Sequence, residues 1–101
     1  MDYGDKVEIL ERLITETEKE MTEVQDAYEK HDIAKLDVLI HHLRSSWMLL
    51  NATRPLQELY ELIHQPSYDE TMLEEKTQAV LNNGKRIIRM AQKTKESLWE
   101  K

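Results

Sequence analysis

The chain has 101 residues, no cysteine, and 20 acidic against 14 basic residues, for a net charge of −6. This length suits one domain, and the lack of cysteine excludes disulfides and thiolate metal sites. The negative charge argues against nucleic acid as a partner, and no stretch approaches the roughly 20 apolar residues of a membrane span, so we expect one cytoplasmic domain without direct membrane contact.

Apolar residues at alternating spacings of three and four predict a first amphipathic helix at about 5–30. Asp5 precedes the apolar stripe, and Glu8 follows three residues later, which is the spacing of a capping box. We therefore expect the helix to begin near Asp5. The stripe comprises Val7, Leu10, Ile14, Thr17, Met21, Val24 and Tyr28.

Three further helices follow the first. Asp32 is the candidate N-cap of a second helix at about 33–51. Pro55 suits the first turn of a short third helix at about 54–65, and Asp69 is the candidate cap of a long fourth helix at about 70–99. The apolar stripe of the second helix runs through Ile33, Leu36, Ile40, Leu43, Trp47 and Leu50.

A turn signal, Asn82-Asn83-Gly84, lies inside the fourth helix and could split it. Because the apolar stripe keeps its phase across these residues, we favour one continuous helix, in which Gly84 lets a neighbour pack closely. Four amphipathic helices with short connections predict an all-α fold. We expect an antiparallel up-down four-helix bundle that spans residues 1–101 as a single domain.

The four histidines differ in their predicted positions. His31 and His64 lie at predicted helix ends, where histidine is common, whereas His41 and His42 lie in the middle of the second helix. Since a helix turns about 100° per residue, His41 falls roughly 140° and His42 roughly 120° from the centre of the apolar stripe. Both imidazoles should face solvent. Two adjacent helical residues point too far apart to share a metal ion, so no metal site is expected.

The neighbours of the two imidazoles distinguish them. His41 has Arg44 and Ser45 on its own surface strip, one turn along, while His42 has only serines there. A neutral imidazole is a competent nucleophile, and the guanidinium of Arg44 could stabilise the charge of a phosphoryl group. Asp37, four residues before His41, could orient its ring or be a bystander.

The segment from Asp32 to Ala52 resembles the histidine-containing phosphotransfer (HPt) domain of two-component phosphorelays. That family has an acidic residue nine positions before its histidine, where Asp32 stands. It carries the motif H-x-L-K/R-G/S-S/A in the second long helix of a bundle. The chain has the corresponding sequence His41-His42-Leu43-Arg44-Ser45-Ser46.

Three positions depart from the most common form of this motif. Ser45 replaces a frequent glycine, Arg44 stands where many members have lysine, and His42 occupies the variable position. Only His41 has leucine two residues on, a cation three residues on and small residues after that. The register therefore selects His41 as the candidate phosphoacceptor.

The resemblance implies a phosphorelay intermediate. His41 would accept a phosphoryl group from the aspartyl phosphate of one receiver domain and pass it to the aspartate of a response regulator. Arg44 would stabilise the group, and residues for access and docking would surround it. No cofactor is expected on this domain, with Mg²⁺ supplied by the receiver. The candidate access and docking residues are Ser45, Met48, His42 and Asp37.

The resemblance also suggests a biological setting. It extends to the HPt domains that end hybrid sensor kinases, so the chain is expected to be such a C-terminal domain, with receiver domains of the kinase and of a response regulator as partners. It would then lie in the cytoplasm, either as a free domain or as the cytoplasmic domain of a membrane-bound sensor kinase, and be monomeric in isolation. It would carry a phosphoryl group without an ATP site of its own, which leaves open whether it counts as an enzyme.

Other functions remain open from the sequence. The bundle could be a non-catalytic helical interaction or adaptor module, or a degenerate HPt domain that docks receivers without transfer. A metal-dependent hydrolase in a bundle core would need repeated inward-facing Glu-x-x-His motifs. That spacing occurs once, at residues 61–64.

Overall fold

The computed structural model describes residues 3–99 and contains four helices there, with no strand in that range. The helices are α1 (Tyr3–Glu29), α2 (Ile33–Met48), α3 (Arg54–Ile63) and α4 (Glu70–Trp99). The all-α, four-helix prediction is confirmed. No helix in the described part of the chain is long and apolar enough to cross a membrane.

Contacts between neighbouring helices run in opposite directions along the chain. When the residue number rises on α1, the number of its contact on α4 falls, and the same holds for α2 and α3, so the helices of each of these two pairs run antiparallel. The contacts that establish this order are Glu11–Lys95, Met21–Gly84 and His31–Glu70 around α1 and α4, and Asp37–His64 and His41–Tyr60 around α2 and α3.

The core lies where all four helices meet. Trp47, which belongs to the predicted apolar stripe of α2, has no exposed surface. Full burial of a large apolar side chain is worth about 1.5–3 kcal/mol, so these contacts hold α2 in a fixed orientation. The most deeply buried apolar side chains are Trp47, Leu36, Leu43, Leu56, Leu59, Leu73, Val24 and Val80.

The α4 helix passes through Asn82-Asn83-Gly84 without a break, as predicted. Asn83 is buried, and its Nδ2 donates to the carbonyl of Ala52 at 3.1 Å, which ties α4 to the α2–α3 connection. Gly84 faces Met21 of α1, since a Cβ at Gly84 would lie 2.7 Å from Cγ of Met21. These residues therefore pack α4 against α1 and the α2–α3 connection and do not form a turn.

The α2 helix ends three residues earlier than predicted. Asn51 has a φ of 55°, a left-handed conformation that turns the chain away from the helix direction. The amide of Ala52 then donates to the carbonyl of Trp47 at 3.0 Å, which closes the turn. Leu50, predicted in the buried stripe, is consequently 38% exposed.

The helix caps are partly as predicted. Asp32 accepts from the amide of Lys35 at 3.1 Å, and Asp69 accepts from the amide of Thr71 at 2.9 Å. The α1 helix begins at Tyr3, two residues before the predicted start near Asp5, so Asp5 lies in its first turn. A carboxylate there still interacts favourably with the helix dipole. The α3 helix stops at Ile63, two residues short of the predicted end.

Candidate functional site

One face of α2 presents an exposed row of side chains, formed by His41, Arg44, Ser45 and Met48, which we name the α2 stripe. All four residues are exposed. The side chain of His41 is 58% exposed, and Met48 is 60% exposed. The opposite face of α2 is buried in the core, so the stripe sits on a rigid support. The prediction that His41 and His42 face solvent is confirmed.

Arg44 lies one helical turn beyond His41. No carboxylate among residues 3–99 approaches its guanidinium within ion-pair distance, in contrast to Arg54, which pairs with Glu58 at 3.5 Å. Ser45, beside it, adds little bulk above the helix surface. The guanidinium is therefore available to an anion that arrives from outside.

Asp37 lies one turn before His41, on the side of His41 opposite to Arg44. Its Oδ1 is 3.5 Å from Nε2 of His41 and 3.2 Å from Nε2 of His64. The carboxylate is only 33% exposed, so it is partly enclosed between these two rings. Asp37 thus contacts His41, as the predicted role of orienting the His41 ring requires.

The α3 helix supplies the wall of the site on this side. The ring of Tyr60 packs against His64 with centroids 4.2 Å apart, and meets the ring of His41 edge-on at 5.9 Å. Sequence reasoning missed both Tyr60 and His64 as site residues. Their spacing of four marks one face of α3, but only the antiparallel pairing of α2 and α3 brings that face to His41.

His42 has different surroundings, on the flank of α2 that faces α1. Its imidazole lies close enough to Glu20 of α1 to interact electrostatically with that carboxyl group. Burial raises the pKa of the Glu20 carboxyl, the neighbouring Glu16 and Glu23 raise it further, and His42 opposes the shift. One oxygen of Glu20 is shielded from solvent and has no hydrogen-bond partner among the described residues.

Metal binding finds no support in the described part of the chain. No group of three or more histidine, aspartate or glutamate side chains among residues 3–99 is placed to hold a metal ion.

Comparisons with known proteins found no matching family model, no matching curated protein and no matching solved structure. The functional conclusion therefore depends on the geometry and chemistry of the α2 stripe and its α3 wall.

Proposed function

We propose that this protein is a phosphorelay intermediate, an HPt-like carrier that holds a phosphoryl group on His41. One observation carries the proposal: a solvent-exposed imidazole stands in the middle of a rigid helix, and the guanidinium one turn away on the same row has no ion-pair partner among residues 3–99. This arrangement offers a nucleophile and a fixed positive charge to a group brought by a partner. The HPt-like motif from His41 to Ser46 supports the same conclusion.

The proposed reaction exchanges one bond for another. A ring nitrogen of neutral His41 uses its lone pair to attack the phosphorus of an aspartyl phosphate on a receiver domain. The N–P bond forms while the bond from phosphorus to the aspartyl oxygen breaks, and the aspartate leaves as a carboxylate. Attack by the aspartate of a response regulator then reverses these steps and returns His41 to its free state.

Arg44 stabilises the transferred group in this mechanism. Phosphoryl transfer is accelerated mainly by positioning and by stabilisation of charge on the phosphoryl oxygens. The planar guanidinium of Arg44 donates hydrogen bonds to those oxygens and stays charged throughout. The small side chain of Ser45 leaves room for the receiver, and exposed Met48 supplies an adaptable apolar contact at the edge of the docking surface.

The proposal implies a set of partners. Receiver domains of a hybrid kinase and of a response regulator would dock on the α2 stripe, and Mg²⁺ would belong to the receiver. This domain would need no cofactor and no ATP site. Such partners place the reaction in the cytoplasm, either on a free domain or on the C-terminal domain of a hybrid sensor kinase.

A transfer assay tests the proposal. Receiver domains of the source organism are loaded with label from acetyl [³²P]phosphate in the presence of Mg²⁺, then mixed with the purified protein. We expect label to move to this protein in a form that is labile in acid and stable in alkali, as phosphohistidine is. His41→Gln should abolish the transfer, and His42→Gln should retain it.

The same assay separates the competing functions. Label that persists in His41→Gln but disappears in His42→Gln would contradict the choice of histidine. Receivers that bind without transferring label would support a degenerate docking domain. The absence of both binding and transfer, across all receivers tested, would favour an adaptor module.

A further inference from the structure

We infer that Asp37, Tyr60 and His64 position the imidazole of His41, so that α3 as well as α2 takes part in the chemistry of the site. The inference rests on the proposed function of His41, because it concerns the orientation of the same ring. Asp37 is the link, since it contacts both imidazoles, and His64 acts on His41 through it.

The contacts of one carboxylate oxygen define this link. Oδ1 of Asp37 lies 3.2 Å from Nε2 of His64 and 3.5 Å from Nε2 of His41. A carboxylate only accepts hydrogen bonds, so each ring that engages it does so through an N–H group. The contact with His64 is the shorter of the two, and it alone meets hydrogen-bond geometry. Asp37 is therefore held from the α3 side and offers a fixed acceptor to His41.

Tyr60 restricts the same rings by packing. Its ring lies at 35° to that of His64 with centroids 4.2 Å apart, and at 75° to that of His41 with centroids 5.9 Å apart. An aromatic edge on one side and a carboxylate on another reduce the orientations open to His41. A nucleophile that is already oriented loses less entropy on reaching the transition state.

A second histidine pair provides a matched control. His31 also contacts a carboxylate, with its Nε2 3.2 Å from Oε2 of Glu70. His31 lies at the α1–α2 connection and Glu70 begins α4, so this pair is separate from the contacts of His41 with Asp37 and Tyr60. The substitution His31→Asn suits the left-handed backbone of this residue, whose φ is 56°.

The first test uses the unphosphorylated protein, so that it does not depend on the proposed function. Ring ¹⁵N and ¹H resonances of His41 are recorded for wild type, Asp37→Asn, His64→Ala, and the double variant. We expect both single variants to shift the His41 ring resonances. The double variant should match Asp37→Asn, and His31→Asn should leave these resonances unchanged. His41 resonances that do not respond to His64→Ala would overturn the inference.

The second test measures transfer from a labelled receiver at increasing concentrations of this protein. Asp37→Asn and His64→Ala should lower the maximal rate several-fold while the half-saturating concentration stays constant. His64→Gln, which keeps an N–H donor, should recover part of the rate. If His64 acts through Asp37, the double variant should be no slower than Asp37→Asn alone. A double variant whose loss of rate is the product of the two single losses would overturn the inference.

The two tests also distinguish failure of the proposed function from failure of the positioning role. If wild type accepts no label, the proposed function fails, and the ring resonances still decide whether α3 positions His41. If wild type accepts label but the variants neither shift the ring nor slow transfer, only the positioning role fails.

Discussion

His41 and His42 are adjacent in sequence, yet they occupy chemically different surroundings. His41 lies between Asp37 and Arg44 on one row of α2, so it has an acceptor on one side and, on the other, a cation that forms no ion pair within the described part of the chain. His42 faces α1 and the carboxylate of Glu20. A step of about 100° around the helix is enough to place one imidazole beside a guanidinium and the other beside a carboxyl group.

Arg44 should affect the rate of transfer directly. Loss of a hydrogen bond to a charged group costs about 1.5–3 kcal/mol, so Arg44→Ala is expected to slow phosphoryl transfer to His41 by roughly 10- to 100-fold. Arg44→Lys should retain more of the rate because it keeps the charge. The initial rate of label transfer measures this effect. Equal rates in wild type and Arg44→Ala would contradict the role of the guanidinium.

Glu20 should make the folded state sensitive to pH. Burial raises its pKa above the ordinary value of 4.5, so the folded state holds this proton more tightly than the unfolded state. The contribution of Glu20 to stability is then greatest below pH 4.5 and decreases as the pH rises through the raised pKa. Glu20→Gln removes the buried charge and should stabilise the protein at neutral pH.

Denaturation by urea between pH 4 and pH 8 measures this effect of Glu20. We expect the difference in stability between Glu20→Gln and wild type to grow as the pH rises. Glu18→Gln, an exposed change on the same helix, is the control and should show no such trend. A difference that shrinks with rising pH would contradict the assignment of a raised pKa.

At the scale of helices, apolar spacing was enough to predict all four elements, and the caps at Asp32 and Asp69 fixed where α2 and α4 begin. Spacing could not predict the end of α2. Leu50 continues the apolar period, but the helix already ends at Met48 and the left-handed backbone of Asn51 turns the chain. His41 and Arg44 were predictable because they lie on one helix. Tyr60 and His64 were not, since their approach to His41 depends on how two helices pack.

The contact between Gly84 and Met21 determines how closely α1 and α4 pack. In an exposed helix, a change from glycine to alanine would stabilise by about 1 kcal/mol. Here the new Cβ would overlap Cγ of Met21, and overpacking typically costs about 1–3 kcal/mol, so Gly84→Ala should destabilise the protein overall. Thermal denaturation measures the change.

A second substitution checks the cause of that loss. Met21→Ala removes the overlapping side chain, so Gly84→Ala should cost much less in that background than in wild type. Gln92→Ala, at an exposed position of α4, should be neutral or slightly stabilising. A stabilising effect of Gly84→Ala in wild type would show that the two helices have room to separate.

The whole molecule is elongated, with extents of 52 × 21 × 18 Å. The α1 and α4 helices have 27 and 30 residues, whereas α2 and α3 have 16 and 10. The α2–α3 connection contacts α4 at Asn83. On the side of this contact toward the C-terminal end of α4, the first part of α1 pairs mainly with the last part of α4. An apolar groove remains open there, lined by Leu10, Leu13, Leu50, Ile87 and Met90.

This shape predicts uneven local stability. Two paired helices bury less apolar surface than four, so they should open more often than the bundle proper. Native-state hydrogen exchange should show faster exchange for amides at about 6–13 and 90–96 than for those at about 36–43 and 76–84. Uniform protection along α1 and α4 would contradict this picture.

The proposed phosphorelay function requires that the phosphoryl group resides on His41. The most direct measurement is to load the protein from a phosphorylated receiver, digest it at neutral to alkaline pH, and locate the modification by tandem mass spectrometry with electron-transfer fragmentation. We expect one phosphoryl group, carried by the imidazole of His41. A group found on His42 or on any other residue, with His41 unmodified, would contradict it.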